Sequence, residues 1–246
     1  MKTDPTIILS SGFLAFARHI GIARACAASG LRPSRLSGVS SGALVGALWA
    51  GGASPDEMLR FVLEGGAPWR SLRPRVPVGG AGPGLLSLEA FVERIARHLP
   101  GRLEDLPVPF TVGVVRRADG ACLLVDRGPI AEVVAASCAM PWIFGPRHVD
   151  GAPCVDGGAR DRIFLRALLE RYPAESTLVH LVDASMAGRR KRTDVVESQL
   201  EWAGTRTRLT VVRTPRSGAG FRSLGDVRGQ VDEAERLARA ALAASA

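Results

Sequence analysis

At 246 residues, 46% hydrophobic and 23% charged, the chain has the make-up of one large α/β domain with a sizeable core, which excludes a disordered or fibrous protein. The net charge of +8 is nearly all arginine, since lysine occurs only at Lys2 and Lys191; it suits anionic partners, phospholipid headgroups among them, without selecting one. Four cysteines with no C-x-x-C pair or zinc spacing, no leader in Met1–Pro5 and no apolar run near the ~20 residues of a membrane span argue against a disulfide scaffold, a zinc module and an integral membrane protein. The expectation is a cytoplasmic protein with buried, reduced cysteines, no metal or cofactor, and at most peripheral membrane contact.

In chain order, residues 6–10 (TIILS) read as a buried strand, and 17–29 carry Ile20, Ala23 and Ala27 at helical spacing up to Gly30. A short extended piece ending at Leu36 runs into GVSSG at 38–42, then a small-residue helix over 41–50. Ser54-Pro55-Asp56-Glu57 starts a helix, with Ser54 as N-cap and Pro55 at the first helical position. Residues 65–86, rich in Gly and Pro, form the longest structureless stretch. Ser87 caps a helix over 88–98. A strand pair at 109–116 and 121–126 turns at Ala118-Asp119-Gly120; a helix over 129–138 and a hairpin at 147–156, turning at Asp150-Gly151, follow. Strands at 177–183 and 208–213 and an amphipathic helix at 227–245 complete the pattern. Alternating strands and helices predict a three-layer α/β/α sandwich with a mostly parallel sheet, and a single domain over 1–246.

Gly38-Val39-Ser40-Ser41-Gly42 matches G-x-S-x-G between a strand and a helix. A sharp turn there forces its central residue into strained dihedrals and leaves Ser40 exposed at the carboxyl end of the sheet. The following helix aims its positive end at charge developing on the substrate. A serine needs a base. Of the four histidines, only His180 follows a plausible acid, as a Ser, Asp, His order requires, and it sits in an apolar strand as a core histidine would. His19, His98 and His148 lie on a helix, a helix end and a hairpin. Asp156-Gly157-Gly158 offers an alternative, an aspartate on a turn that another loop can approach closely, and a dry site would raise its pKa. A plain D-G turn is the simpler account, as Asp150-Gly151 illustrates.

Taken together, G-V-S-S-G at 38–42 and D-G-G at 156–158 resemble the patatin-like phospholipases, which use a Ser–Asp dyad. Ala135-Ala136-Ser137-Cys138-Ala139-Met140-Pro141 is similar to that family's A-S-x-A-x-P segment. His148 through Gly158 is similar to its D-G-G hairpin, and Leu9-Ser10 and His19-Ile20-Gly21 to the flanks of its first turn. The resemblance covers about residues 6–185, with 186–246 expected to complete the domain by a strand and a helix. It implies Ser40 as nucleophile and Asp156 as base, with phospholipid or another fatty-acyl ester as substrate and no cofactor. It also implies an oxyanion hole of backbone N–H groups at Gly12 and Phe13. Here the chain departs from the family: Ser11-Gly12-Phe13-Leu14-Ala15-Phe16 keeps one glycine of a G-G-G-x-[RK]-G run and has Ala15 at the basic position. Phe13 and Phe16 either line an acyl pocket or pack into the core. That departure leaves room for an acyltransferase or a weakly catalytic lipid- or partner-binding module beside the hydrolase.

Trp142, Ile143 and Phe144 fall, by the same resemblance, near the acyl side, with a core role as the alternative. Trp69, Arg70, Arg73 and Arg75 suit a lipid interface or a solvated loop. Gly188 through Arg192 (GRRKR) reads as a solvated loop, and nucleic acid is not an expected partner.

Overall fold

The computed structural model describes residues 4–66, 73–74, 84–183, 189–220 and 222–245. In chain order they form β1 (Thr6–Leu9), α1 (Phe16–Ala28), β2 (Arg35–Gly38), α2 (Ser41–Ala50), α3 (Pro55–Gly65), β3 (Arg73–Pro74), β4 (Gly84–Ser87), α4 (Glu89–His98), β5 (Phe110–Arg116), β6 (Cys122–Val125), α5 (Ile130–Cys138), β7 (Trp142–Phe144), β8 (Arg147–Val149), β9 (Ala152–Asp156), α6 (Leu165–Arg171), β10 (Ser176–Val182), α7 (Arg189–Gly204), β11 (Arg208–Thr214) and α8 (Val227–Ala244).

The main sheet runs β11-β10-β1-β2-β5-β9-β8, with β6 paired to β5 off that path. From β11 to β5 every pairing is parallel, whereas β6, β9 and β8 run antiparallel to their neighbours. Strand alternation divides the core into two layers. Ile7 and Leu9 of β1 join α1, α2, α3, α5 and α8 on one face, while Ile8 joins α6 and α7 on the other. This is the expected three-layer α/β/α sandwich.

Local signals place several elements. Ser54 and Glu57 form a reciprocal capping box with Pro55 in the first turn, which starts α3 where the sequence says it should. Asp150 and Gly151 both take positive φ, 49° and 77°, the backbone of a tight two-residue hairpin between β8 and β9. Asp226 accepts from the Gly229 N–H at 2.9 Å and starts α8.

Three expectations are corrected. The stretch 65–86 is not structureless: β3 and β4 lie in it and form a second sheet with β7, in the order β3-β4-β7. Arg189 to Arg192 open α7 rather than a loop; Val196, Leu200 and Ala203, at helical spacing, bury that helix against the second face of the sheet. Cys26 and Cys154 are buried as expected, but Cys122 is exposed on β6. Trp69, Arg70, Arg75 and Gly188 lie outside the described residues. Among those described, no helix is long and apolar enough to cross a membrane.

Candidate active site

Ser40 sits between β2 and α2 at φ 55° and ψ −118°, a left-handed value that a serine adopts only when its surroundings impose it. The glycines on either side make the bend possible. A Cβ on Gly42 would lie 2.2 Å from the Leu9 carbonyl oxygen, and one on Gly38 2.3 Å from the carbonyl oxygen of Gly42. The end of α5 grips the bend from the other side. The Ser40 N–H donates to Ser137 Oγ at 2.8 Å, Ser137 Oγ donates to the Gly113 carbonyl at 2.8 Å, and Cys138 Sγ donates to the Ser40 carbonyl at 3.3 Å. In the sequence Ser137 stands only in the A-S-x-A-x-P-like segment and Cys138 reads besides as a buried, reduced cysteine, so neither carries a signal of this role.

Register brings Asp156 to the same level. Gly38 of β2 pairs with Val112 of β5, and two residues further along β5 Val114 pairs with Asp156 of β9, just as Ser40 lies two residues past Gly38. The Asp156 carboxylate is buried at 3% exposure and accepts the Gly158 N–H at 2.7 Å, and the Ser40 side chain acts on it to lower its pKa. Burial pushes its carboxyl up to about 6, against the opposing pull of the Ser40 side chain and the Gly158 N–H. Gly157 lets the turn close, since a Cβ there would lie 2.5 Å from the Gly113 carbonyl oxygen.

The histidines stand apart from this pair. His180 is fully buried in β10, its Nδ1 2.7 Å from Nδ1 of His19 and its Nε2 2.9 Å from Thr214 Oγ1. His19 Nε2 lies 3.2 Å from the hydroxyl of Ser41, the residue after Ser40. Burial drives the His19 pKa down to about 3 and His180 well below its ordinary value, so both rings are neutral and one donates to the other. His98 bonds the Arg94 carbonyl at the end of α4, and His148 lies exposed on β8.

The turn from Ser11 to Ala15 carries the expected donors Gly12 and Phe13. It is held mostly from a distance. The Ser11 N–H donates to the Arg162 carbonyl at 2.8 Å, the Arg162 guanidinium bonds the Ser11 and Val182 carbonyls, and Ser217 Oγ donates to the Phe13 carbonyl at 2.5 Å. The positive φ in this turn falls on Leu14, at 50°, rather than on either phenylalanine.

A pocket opens beside Ser40. Phe13 and Phe16 line it with Leu44, Phe61, Phe91, Met140 and Phe144; Phe13 is exposed, while Phe16 both lines the pocket and packs against the main core. Trp142 lies at its edge in the sequence but not in its wall; the ring is 74% exposed on a backbone of φ 73°. The arrangement supplies a strained hydroxyl, a buried carboxylate with raised pKa, a helix N-terminus and an apolar trough. Those are the parts an acyl transfer through a serine ester requires.

Comparison with known proteins bears on the family and the fold. Residues 7–169 match the family model described as patatin-like phospholipase. NTE family proteins of Mycobacterium tuberculosis and Mycobacterium bovis are each 29% identical over 185 residues, covering 74% of this chain and 50% of theirs. The chain thus spans about half the length of those curated relatives. The crystal structure of VipD from Legionella pneumophila shares the fold, with a TM-score of 0.56 at 12% identity over 98% of this chain and 66% of VipD.

Proposed function

The chain belongs to the patatin-like phospholipase family, and on that premise we propose that it is a serine lipid acyl hydrolase acting through Ser40 and Asp156. The observation that carries the proposal is the sheet register that sets a hydroxyl on a strained bend level with a buried carboxylate whose pKa is raised to about 6. At neutral pH that carboxylate is mostly ionised, yet basic enough to take a proton.

In the proposed cycle, Asp156 accepts the Ser40 proton as Oγ attacks an ester carbonyl. The oxyanion rests on the N–H groups of Gly12 and Phe13 and on the N-terminus of α2. The tetrahedral adduct collapses, and the alcohol leaves with the proton from Asp156. A water, deprotonated by Asp156, then cleaves acyl-Ser40 and releases the fatty acid. The aromatic and aliphatic trough from Phe13 to Phe144 would take the acyl chain, which favours phospholipid or lysophospholipid esters. The reading treats 1–246 as one domain, since α8 packs along α1. Any contact with an anionic membrane is peripheral.

The test is a fluorophosphonate probe beside a short-chain p-nitrophenyl ester. Wild type should label and turn over; Ser40→Ala should do neither, with turnover down on the order of 10⁴-fold or more, while its unfolding temperature stays within a few degrees. Turnover retained in Ser40→Ala would remove Ser40 from the mechanism, and an unlabelled wild type would favour a binding module. Product capture by an added alcohol or thiol in preference to water would make the protein an acyltransferase.

A further inference from the structure

One wall of the Ser40 pocket carries a charge that the proposed hydrolysis does not use. Arg94, on α4, lines the pocket with Phe61, Phe91, Gly65 and Ser87. Its guanidinium stacks over the Phe61 ring, 3.9 Å from the centroid, and fills the space above Gly65, where a Cβ would lie 1.8 Å from Nη1. Stacking fixes the plane of the group and leaves its in-plane N–H edge for a partner. Nη2 is buried and has no hydrogen-bond partner.

An unsatisfied guanidinium nitrogen buried against aromatic rings is costly, and a pocket built only for an acyl chain gives no reason to keep one. Charges among the described residues do not answer it. Glu64 and Arg97 act on Arg94 through space with opposite signs, and among the described residues no carboxylate forms an ion pair with it. Burial works against its charge. The neighbouring Arg147 shows the contrast: Glu89 and Glu132 close on that guanidinium from two sides. Of two arginines in this part of the fold, one is neutralised by the protein and the other keeps a buried guanidinium nitrogen without a hydrogen-bond partner at the pocket wall.

We propose that Arg94 is the docking group for an anionic oxygen cluster, a phosphate or a carboxylate, carried by the molecule that fills the Ser40 pocket. The assignment rests on the hydrolase reading in supposing that this molecule is the ester substrate, and it narrows that substrate to esters with a negative charge beyond the scissile group. Planar bidentate pairing is what a stacked guanidinium offers such a group.

The test separates ligand preference from turnover. Octyl phosphate, octanoate and octanol are titrated calorimetrically into the full chain, as wild type and as Arg94→Met, with Arg94→Gln as a second variant should the first fail to fold. Wild type should bind octyl phosphate more tightly than octanol by about tenfold, the value of one charge-assisted hydrogen bond, and the variant should lose at least fivefold of that preference. Arg94→Lys should restore part of it. Octanoate sharing in the loss assigns the site to anions generally, and octanoate failing to share in it assigns the site to phosphate. A folded Arg94→Met or Arg94→Gln protein whose preference stays within fivefold of wild type overturns the proposal. Ester turnover is followed in parallel. A wild type that hydrolyses no ester but shows the Arg94-dependent preference would strike the hydrolase reading and leave this one standing; active esterase with no such preference would do the reverse.

Discussion

The bend at Gly38–Gly42 and the turn at Ser11–Ala15 face the same pocket and are held by different means. The bend is fixed by what its neighbours lack. Gly38 and Gly42 approach backbone oxygens so closely that no side chain fits, and the chain has no other way past Leu9. The turn is fixed by what reaches it from afar: Arg162, Ser217 and the Asp156–Gly158 turn, whose Gly158 packs against Ser11. A site held by absent atoms tolerates almost no substitution within itself. A site held by distant anchors can change its own residues while the anchors remain. That accounts for a bend that keeps its G-x-S-x-G intact beside a turn in which Ser11, Phe13 and Phe16 stand at the family's glycine positions and Ala15 at its basic one.

Asp156 tests the bend's chemistry most severely. Asp156→Asn should lower kcat by about 10³- to 10⁴-fold, and the wild-type rate should fall as pH drops through about 6, where the carboxylate takes its proton. Stability should move the other way. The folded pKa lies above the ordinary 3.8, so the native state binds the proton more tightly than the unfolded chain does, and stability falls as pH rises from about 4 to about 6. Asp156→Asn should therefore melt above wild type at pH 8, with the gap closing below pH 4. A variant that melts lower at pH 8 would make the carboxylate a structural cap for Gly158 instead.

The steric half of the comparison is sharpened by Gly42→Ala. Its Cβ has to displace the Leu9 carbonyl, and the cost should be about 3 kcal/mol in a denaturant melt, the upper end for overpacking. A loss below about 1 kcal/mol would show that the bend can shift, and the contrast with the turn would dissolve.

Arg162→Met should have the smallest effect. It removes the side-chain anchor of the turn without touching the pocket wall, so kcat should drop about tenfold, a fraction of what a lost oxyanion donor costs, with KM for a short ester nearly constant. A rise in KM with kcat preserved would mean that Arg162 shapes binding and not the donors of the turn.

Much of the frame was legible because it is written in short-range terms. A short continuous apolar run marks β1 as a buried strand, the reciprocal Ser54–Glu57 pattern marks the start of α3, and Asp150-Gly151 marks the hairpin that delivers Asp156. The absence of a well-placed histidine was legible too, and His180 proved to be tied to His19 and Thr214 within the core. The small β3-β4-β7 sheet was not, since strands of two to four residues in Gly/Pro-rich sequence carry no period to detect. Helix α7 was missed for a different reason: its basic first turn masked the apolar spacing of Val196, Leu200 and Ala203.

The sequence by itself marked the bend, because Gly38, Ser40 and Gly42 lie within five residues as a G-x-S-x-G pattern, though the Leu9 carbonyl that Gly42 must clear lies on another strand. It also determined the strands and helices that carry Ser40 and Asp156. Only the tertiary structure decided which distant groups complete the site: Ser137 on the Ser40 N–H from 97 positions away, Arg162 on Ser11 from 151, and an Arg94 with a buried nitrogen left without a hydrogen-bond partner while Glu89 and Glu132 close on Arg147. A partner so far along the chain leaves no local periodicity or composition to betray it; the sheet register and helix packing choose it once the fold has formed.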